Sequence, residues 1–540
     1  MGVLRDLVRL PDVRRIEVAW ALSVLGWTST AVAILVFAYL EGGTPLVAVY
    51  SVGRALSGTA GSMLVSSLAD RMPRERLLLL TTVARTLLTG AGGWLAMSGG
   101  PAAAVVALVL VADGLAATFR PLQAAALPWL VQTPAQLATA NVAATLMENT
   151  GSLIGPALAG LTLAVADAPV ALAMSAAFPL FATLTLVRLR MPEEARSEPT
   201  GSPRLVRDLT SGVSTLFRLP PTGGFVVLVV VQTFARGALM VGLVALAYDE
   251  LGLGGQAVGT LNAVMGLGGL LGGLIGVRLL RTTNLGRSFT CGVVGWGVAL
   301  TLLALWPVVG ISFAALMLLG VSNAFEDASC FTLIARLATG ISVARAMGAI
   351  ELLVVVCGGI GSLAVTVLIN VYDVRVALGV VGAVALLPAL VYAVPFRRLD
   401  RSLPAPGPEV ELLRGLPMFA GLPMPVVDQL AAELEPRHYA AQAVLFGQGD
   451  PGSMFHVIAS GRADVVVDHE PRPALGPGDC FGEIALLRDG TRTATITART
   501  DLTTYTLPRE AFLRAVLGNR SSHNFATALA DRRFGAGTAR

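Results

Sequence analysis

Lysine is missing from this sequence of 540 residues, so its 39 basic side chains are all arginine. Charged residues make up only 14 % of the chain, whereas a soluble globular protein usually contains about 25 %. The absence of lysine excludes an ATP-binding loop of the G-x-x-x-x-G-K-[ST] type. The four cysteines and four histidines form no metal-ligand spacing and no catalytic constellation. We therefore expect neither an enzyme nor a metal site.

The hydrophobic residues, which make up 54 % of the chain, are unevenly distributed. The mean hydropathy is +0.71, and the shortage of charge lies between residues 16 and 396. A membrane span needs about 20 apolar residues. We count about twelve such runs, near 16–40, 46–68, 77–97, 102–130, 139–164, 168–188, 223–248, 255–279, 288–308, 311–335, 343–369 and 374–395. The pattern predicts an all-α membrane bundle over residues 1–396, with halves 1–188 and 222–396 and a central loop 189–221.

Arginine placement predicts the orientation of this bundle. Arginines cluster before the first run and in the second, sixth and eighth connections, whereas loops 41–45, 98–101 and 249–256 contain none. Cytoplasmic loops are enriched in basic residues, so we expect both ends of the bundle in the cytoplasm and the protein in the inner (plasma) membrane. The net charge of +4 then reflects loop arginines, and we expect no nucleic-acid partner.

Two features indicate that the membrane part consists of paired halves. Residues 126–151 weakly resemble residues 332–358 at a nearly constant offset, as in the repeats of secondary transporters. The central loop separates six runs from six, and its segment 204–219 is typical of an amphipathic helix on the lipid surface.

The chain changes character after residue 396. Residues 397–408 predict a linker rich in proline and arginine, and residues 409–540 a soluble domain. A helical stretch over 410–434 precedes short alternating apolar runs with turn residues up to about Leu507, which predict a β-roll. Two helices, near 509–517 and 522–533, close the domain.

The loop after the second run reads "LADRMPRER" from Leu68 to Arg76. This motif resembles the loop signature of the major facilitator superfamily, roughly G-x-x-x-D-R-x-G-R-[RK]. Asp70, Arg71 and Arg74 match it, whereas Ser66 and Pro73 replace glycines. The resemblance implies that the aspartate pairs with helix ends and arginines of the neighbouring half and stabilises the outward-facing state.

A second motif, "GSLIGPALAG" from Gly151 to Gly160, resembles the Gly-Pro motif of exporters in that superfamily. Its glycines allow close helix approach, and Pro156 removes one backbone hydrogen bond and bends the helix. Residues 120–141 are similar to the subgroup that contains the enterobactin exporter and macrolide efflux proteins. The resemblance favours export over import.

Ionisable side chains inside spans are costly and usually functional. The candidates are Arg54, Asp113, Arg120, Glu148, Arg236, Glu326, Asp327 and Glu351. Asp113 and Arg120 are seven residues apart and would share a helix face, and the internal repeat places Asp327 opposite Arg120. Burial favours the neutral acid, so we expect at least one of these carboxylates to carry a proton. A structural ion pair remains the alternative for each single residue.

The segment "PGDCFGEIALLRDGTRTATITA", residues 477–498, resembles the phosphate-binding cassette of cyclic-nucleotide-binding domains, and residues 447–467 resemble their β-roll. The resemblance implies that Arg492 pairs with the phosphate and that Glu483 accepts the ribose 2′-hydroxyl. Gly482 would allow close approach of the sugar, and backbone N–H groups of the short helix near Ile484 and Ala485 would face the phosphate. Thr493 would add a hydrogen bond.

These patterns predict a secondary active exporter of a small molecule that needs no cofactor and is regulated by a cyclic nucleotide, with cAMP favoured over cGMP. Without an ATP-binding loop of that type, an ion gradient must drive active transport. No helix-turn-helix follows the β-roll, which disfavours a transcription factor. A membrane receptor that no longer transports, and an exporter of the cyclic nucleotide itself, remain alternatives. Substrate, coupling ion and oligomeric state stay open.

Overall fold

The computed structural model describes residues 10–69, 72–131, 134–189, 222–279, 285–337, 343–402, 408–419, 422, 424–487, 490–517 and 526. The chain forms two compact units. One comprises residues 14–126 and 143–403, and the other comprises residues 1–13, 127–142 and 404–540.

Among the described residues, seven helices form the first half of the membrane bundle. They are α1 (Pro11–Ala69), α2 (Arg74–Met97), α3 (Ala102–Ala116), α4 (Phe119–Leu130), α5 (Pro134–Val165), α6 (Ala168–Ser175) and α7 (Ala177–Leu186). α1 is kinked at Gly43, which has a φ of 61°, and Pro45 follows two residues later. A left-handed backbone angle next to a proline interrupts regular helical hydrogen bonding, so α1 consists of two spans.

The second half contains α8 (Thr222–Ala245), which continues into a π-helical turn (Leu246–Glu250). It is followed by α9 (Gly254–Leu279), α10 (Leu285–Leu305), α11 (Val309–Leu337), α12 (Val343–Val371) and α13 (Val374–Ser402). Nine helices in the described residues are long and apolar enough to cross a membrane. If the two parts of α1 are counted separately, and α3 with α4 and α6 with α7 are joined, twelve segments of spanning length result.

The two halves meet through small residues and a few polar groups. At Gly259 an added Cβ would lie 2.4 Å from the Cα of Gly160, so α5 and α9 touch backbone to backbone. The Tyr39 hydroxyl donates to Asp249 Oδ1 at 2.6 Å, and the Tyr39 ring stacks on Tyr248 with centroids 4.9 Å apart. These contacts join the end of the first span to the π-helical turn of α8.

The C-terminal unit contains α14 (Pro408–Gly415), α15 (Met424–Ala432) and eight strands. The strands are β1 (Glu435–Tyr439), β2 (Val444–Phe446), β3 (Met454–Ser460), β4 (Ala463–Val467), β5 (Glu470–Leu475), β6 (Cys480–Phe481), β7 (Thr495–Ala498) and β8 (Leu502–Pro508). A short helix, α16 (Glu483–Leu487), follows β6, and α17 (Arg509–Leu517) follows β8. Two antiparallel four-stranded sheets, ordered β1-β8-β3-β6 and β2-β7-β4-β5, form the predicted β-roll.

The fold class predicted from the sequence, a helical membrane bundle followed by a β-roll with flanking helices, is confirmed. Two boundaries need correction. α13 continues through Ser402 into the predicted linker 397–408, because its helical pattern does not stop at Phe396. The predicted helix 410–434 is broken into α14 and α15 around "LPMFAGLP", where two prolines disfavour a continuous helix. The central loop 190–221 and most of the closing helix 522–533 lie outside the described residues.

Candidate functional site

The predicted cassette lies where β6 passes into α16. Gly482 separates them with a φ of 88°, an angle that side chains with a Cβ rarely adopt. An added Cβ there would lie 2.4 Å from Nη1 of Arg492 and 3.0 Å from the Met454 carbonyl oxygen. Glycine is therefore required both by the backbone angle and by the close packing of Arg492.

Arg492 is a buried cation in the wall of the cassette, only 5 % exposed. Its Nη1 donates to the Gly482 carbonyl at 3.1 Å and its Nη2 donates to the Met454 carbonyl at 2.8 Å. The guanidinium carbon lies 4.2 Å from the centre of the Phe446 ring, a favourable cation–π geometry. Burial lowers the pKa of Arg492, while the carboxylates of Glu483 and Asp450 act in the opposite direction.

The remaining predicted ligand residues surround Arg492. Glu483 is 1 % exposed, and its charge acts directly on Arg492. Ala485 is buried against Gly452, where an added Cβ would come within 2.6 Å of the Ala485 Cβ. Ile484 and Thr493 are half-buried. The structure therefore brings Gly482, Glu483 and Arg492 together, while Ile484, Ala485 and Thr493 are their neighbours along the chain.

A cluster of aromatic rings packs next to Arg492. His456 on β3 stacks on Phe481 with centroids 4.8 Å apart and planes 7° from parallel, and Phe446 lies 5.8 Å from both rings. Burial, together with the charges of Arg492 and Arg437, lowers the pKa of His456 to about 3. The imidazole is therefore neutral at physiological pH. The sequence did not reveal this cluster, because it depends on the pairing of His456 with Phe481 across β3 and β6.

The cassette also contacts the helices of its own domain. Leu486 of α16 belongs to an apolar cluster with Leu413 of α14, Leu430 of α15 and Phe512 of α17. Phe512 stacks on Phe455 of β3 at 4.6 Å. A displacement of α16 would therefore shift α14, α15 and α17, because close-packed interiors transmit small movements.

Asp113, in the first half, has two polar partners. It accepts a hydrogen bond from the Tyr50 hydroxyl at 2.7 Å and lies 3.7 Å from Nε of Arg54. α3 ends at Ala116 and a turn at residues 117–118 precedes α4, so Asp113 and Arg120 lie on successive helices, and their sharing of one face stays a prediction. Arg120 instead donates to Gln123 Oε1 at 3.1 Å and lies 5.6 Å over the Trp20 ring.

In the second half, Asp327 lies 3.6 Å from Nη2 of Arg236 and accepts a hydrogen bond from Nδ2 of Asn323 at 2.9 Å. Arg236 also donates to Asn323. Glu326, the residue before Asp327 in α11, is buried and only 2 % exposed. Asp327 and Glu326, which are consecutive in α11, thus present one exposed and one enclosed carboxylate.

Glu148 on α5 is half-buried and feels the charges of Arg120 and, from the other half, Asp327. Pro156 lies inside α5. Arg74 donates from Nη1 to the Ala125 carbonyl at 3.0 Å, so this arginine contacts α4 of its own half. Asp70 and Arg71, and the side chain of Glu351, lie outside the described residues.

Two buried ionisable residues in the membrane part were missed from the sequence. Arg85 on α2 donates to Ser23 Oγ at 2.6 Å and to the Ser23 carbonyl at 3.1 Å. Glu17, on α1, is 3 % exposed. Arg85 stands in the middle of an apolar run, a signal that could have found it. Glu17 stands one residue inside its run and resembled an interfacial charge.

Residues 225–447 match the Major Facilitator Superfamily, and residues 436–519 match the cyclic nucleotide-binding domain family. Part of the helical bundle therefore matches one family and the C-terminal domain matches the other. The membrane part is similar in fold to the nucleoside transporter NupG, with 13 % identity and a TM-score of 0.59 over 71 % of this chain and 99 % of that one. At this identity the similarity concerns the fold alone.

The nucleotide-binding domain has curated relatives. It is 36 % identical over 106 residues to a cAMP-dependent protein kinase regulatory subunit of Colletotrichum orbiculare, and 33 % identical over 126 residues to the cyclic AMP receptor protein of Thermus thermophilus. The matches cover 19 % and 22 % of this chain, and 27 % and 58 % of those relatives. The chain thus spans only part of the length of either relative.

Proposed function

We propose that this protein is a secondary active transporter that exports a small molecule and whose cycle is regulated by a cyclic nucleotide, cAMP in preference to cGMP. The observation that carries the proposal is the joint burial of Arg492 and Glu483 in one electrostatically coupled cassette. A domain that had lost its ligand would have no need to retain these two charges, since burying charge is costly.

The chemistry of the cassette fits a cyclic nucleotide. Its phosphate has one negative charge, which Arg492 would neutralise by charge-assisted hydrogen bonds. The Glu483 carboxylate would accept the ribose 2′-hydroxyl and so disfavour deoxyribose. The printed names of both curated relatives refer to cAMP, which supports cAMP as the ligand.

Regulation would follow from the packing of α16. Binding would draw the cassette towards the phosphate and displace Leu486 against α14, α15 and α17. α14 follows α13 after only the five residues 403–407, so its movement would act on the last membrane helix through the chain. The ligand shifts the transport cycle only as far as its affinity differs between the two states.

The proposed direction of transport and the proposed orientation of the protein in the membrane rest on the sequence. The motif from Gly151 to Gly160 favours export, and the arginine-rich loops favour cytoplasmic termini in the inner membrane. Each half contributes charged side chains that interact with one another. They are Glu148 with Arg120 in the first half and Asp327 with Arg236 in the second, and they support a polar path for substrate or protons.

Calorimetric titration of the full chain in lipid nanodiscs with cAMP and cGMP tests the proposal. Arg492→Ala should weaken cAMP binding by about tenfold to 100-fold, because a hydrogen-bonded charge contributes about 1.5–3 kcal/mol. Arg499→Ala, at an exposed arginine 3.2 Å from Asp464, is the matched control and should leave affinity unchanged. Absence of binding by the folded wild-type chain would contradict the proposal.

A vesicle assay separates the alternatives. Small molecules are screened for uptake into inside-out vesicles with and without cAMP, and labelled cAMP is included among them. A transported compound whose rate responds to cAMP supports regulation, and the response should disappear in Arg492→Ala. Uptake of labelled cAMP that persists in Arg492→Ala would instead identify the nucleotide as cargo.

A further inference from the structure

Each half of the bundle encloses one carboxylate beside a glutamine and an arginine. Both groups are built from the first and the fourth span of their half. The members are Glu17 of α1 with Arg120 and Gln123 of α4, and Glu326 of α11 with Gln232 and Arg236 of α8. The halves differ in one respect: the acid stands on the first span of one half and on the fourth span of the other.

In the first half, Glu17 makes no well-formed hydrogen bond with any described residue. The fully buried Gln123 amide is close enough to interact with the carboxyl group, but neither carboxylate oxygen reaches normal hydrogen-bond geometry with it. The Gln123 carbonyl is occupied by Arg120 at 3.1 Å. Arg120 is close enough to act on Glu17 electrostatically, but its guanidinium lies over Trp20.

The cluster in the second half has the same character. Among the residues that the structure describes, the Gln232 amide is close enough to interact with Glu326, but neither carboxylate oxygen makes a well-formed hydrogen bond. At Gly292 of α10 an added Cβ would lie 2.5 Å from Cγ of Glu326, so the neighbouring helix closes over the acid. Arg236 acts on Glu326 electrostatically, but its contacts are with Asn323 and Asp327.

An ionised carboxylate in such surroundings is strongly disfavoured. Enclosing a charge without donors costs several kcal/mol, whereas the neutral acid avoids most of this cost. The arginine in each cluster is near but engaged elsewhere, so a modest movement could bring it to the acid and favour loss of the proton. This arrangement suits a group that binds a proton in one conformation and releases it in another.

We propose that Glu17 is a proton-binding site equivalent to Glu326, so that each half of the bundle binds one proton. Arg120 and Arg236 are the counter-charges that act on the two acids. The inference rests on the proposed transport function only for the use made of the protons, because proton binding itself needs no substrate.

Infrared spectroscopy of the full chain in lipid bilayers tests this inference. The C=O stretch of protonated carboxylic acids is followed while the pH is raised, and buried acids are recognised by slow hydrogen–deuterium exchange. Glu17→Gln and Glu326→Gln should each remove a different component of the titrating band, and the double variant should remove both. Glu41→Gln, an exposed glutamate on the same helix as Glu17, should change neither component.

A spectrum of folded Glu17→Gln identical to that of the wild type would overturn the inference. If Glu17→Gln does not fold, Glu17→Asp keeps an acid at the site: the component should then move in frequency, and an unmoved component excludes Glu17. The proposed function fails separately. Full titration at both sites in a protein that transports nothing would contradict transport and leave proton binding intact.

Discussion

Asp113 in the first half and Glu326 in the second are both buried carboxylates within the helical bundle. Asp113 accepts a hydrogen bond from Tyr50 and lies beside Arg54, which itself packs 5.0 Å over the Trp27 ring. Glu326 makes no well-formed hydrogen bond among the described residues, and the Gln232 amide is its neutral neighbour. Burial alone therefore does not identify a functional carboxylate. The partners decide whether the group is held as part of an ion pair or is free to exchange a proton.

The largest expected effect follows from removing the partnered charge. Asp113→Asn should lower the free energy of unfolding by about 3–5 kcal/mol, because it leaves the half-buried Arg54 without its counter-charge. Glu326→Gln, the same chemical change, should alter stability by less than about 1 kcal/mol, since Arg236 keeps Asn323 and Asp327. Unfolding of the lipid-reconstituted protein in a denaturing detergent measures both.

Asp167→Asn, at an exposed position before α6, is the control for the substitution itself. Equal losses in Asp113→Asn and Glu326→Gln would break the contrast between the two sites. A loss in Glu326→Gln alone would reverse it.

The C-terminal domain shows a similar contrast between a hydrogen-bonded and an unbonded buried group, Arg492 and His456. Arg492 donates two hydrogen bonds, whereas Nδ1 of His456 has no partner in the described residues. An unfolded chain protonates this imidazole as the pH falls through about 6.5, but the folded domain keeps it neutral down to about 3. Acid therefore favours unfolding: the stability present above pH 6.5 is lost towards pH 3, by about 1.4 kcal/mol per pH unit.

At pH 5 this residue should cost the domain about 2 kcal/mol relative to pH 8. His456→Phe keeps the ring stack and should remove most of that loss. Thiol labelling of buried Cys480 in the full chain, with Cys291, Cys330 and Cys357 changed to serine, reports domain opening at each pH. An acid-induced loss of the same size in His456→Phe would show that other groups are responsible.

The smallest effect concerns a neutral group whose expected partner is the ligand. Thr493→Val should weaken cGMP binding by about twofold to tenfold, as expected for one neutral hydrogen bond of about 0.5–1.5 kcal/mol, and should weaken cAMP binding less. Thr497→Val on β7 is the matched control. Titrations that show a larger loss for cAMP would point to a different orientation of the base.

The cassette could be predicted from the sequence because its residues occupy fixed positions in one short segment. Gly482, Glu483 and Arg492 fall within eleven residues, and the close packing at Gly482 leaves no room for another residue. Helix existence was equally accessible, since spans of apolar residues leave few alternatives.

Contacts between distant segments were less accessible. The expected shared face of Asp113 and Arg120 assumed one continuous helix, and the structure places the two residues on α3 and α4 with a turn at residues 117–118 between them. Phe446, His456 and Phe481 meet only through strand register, which composition does not define. Glu17 differs from an interfacial glutamate only in how the helices cover it.

The crossing of α5 and α9 at Gly160 and Gly259 has a mechanical consequence. The helices touch there through backbone atoms, because neither glycine brings a side chain into the contact. Interlocked side chains must change rotamer or separate before two helices can turn against each other, and that costs packing energy. A smooth crossing avoids this cost, so it can serve as a pivot about which one half of the bundle rocks on the other. Gly259→Leu would place a bulky side chain at this crossing and hinder the rocking motion.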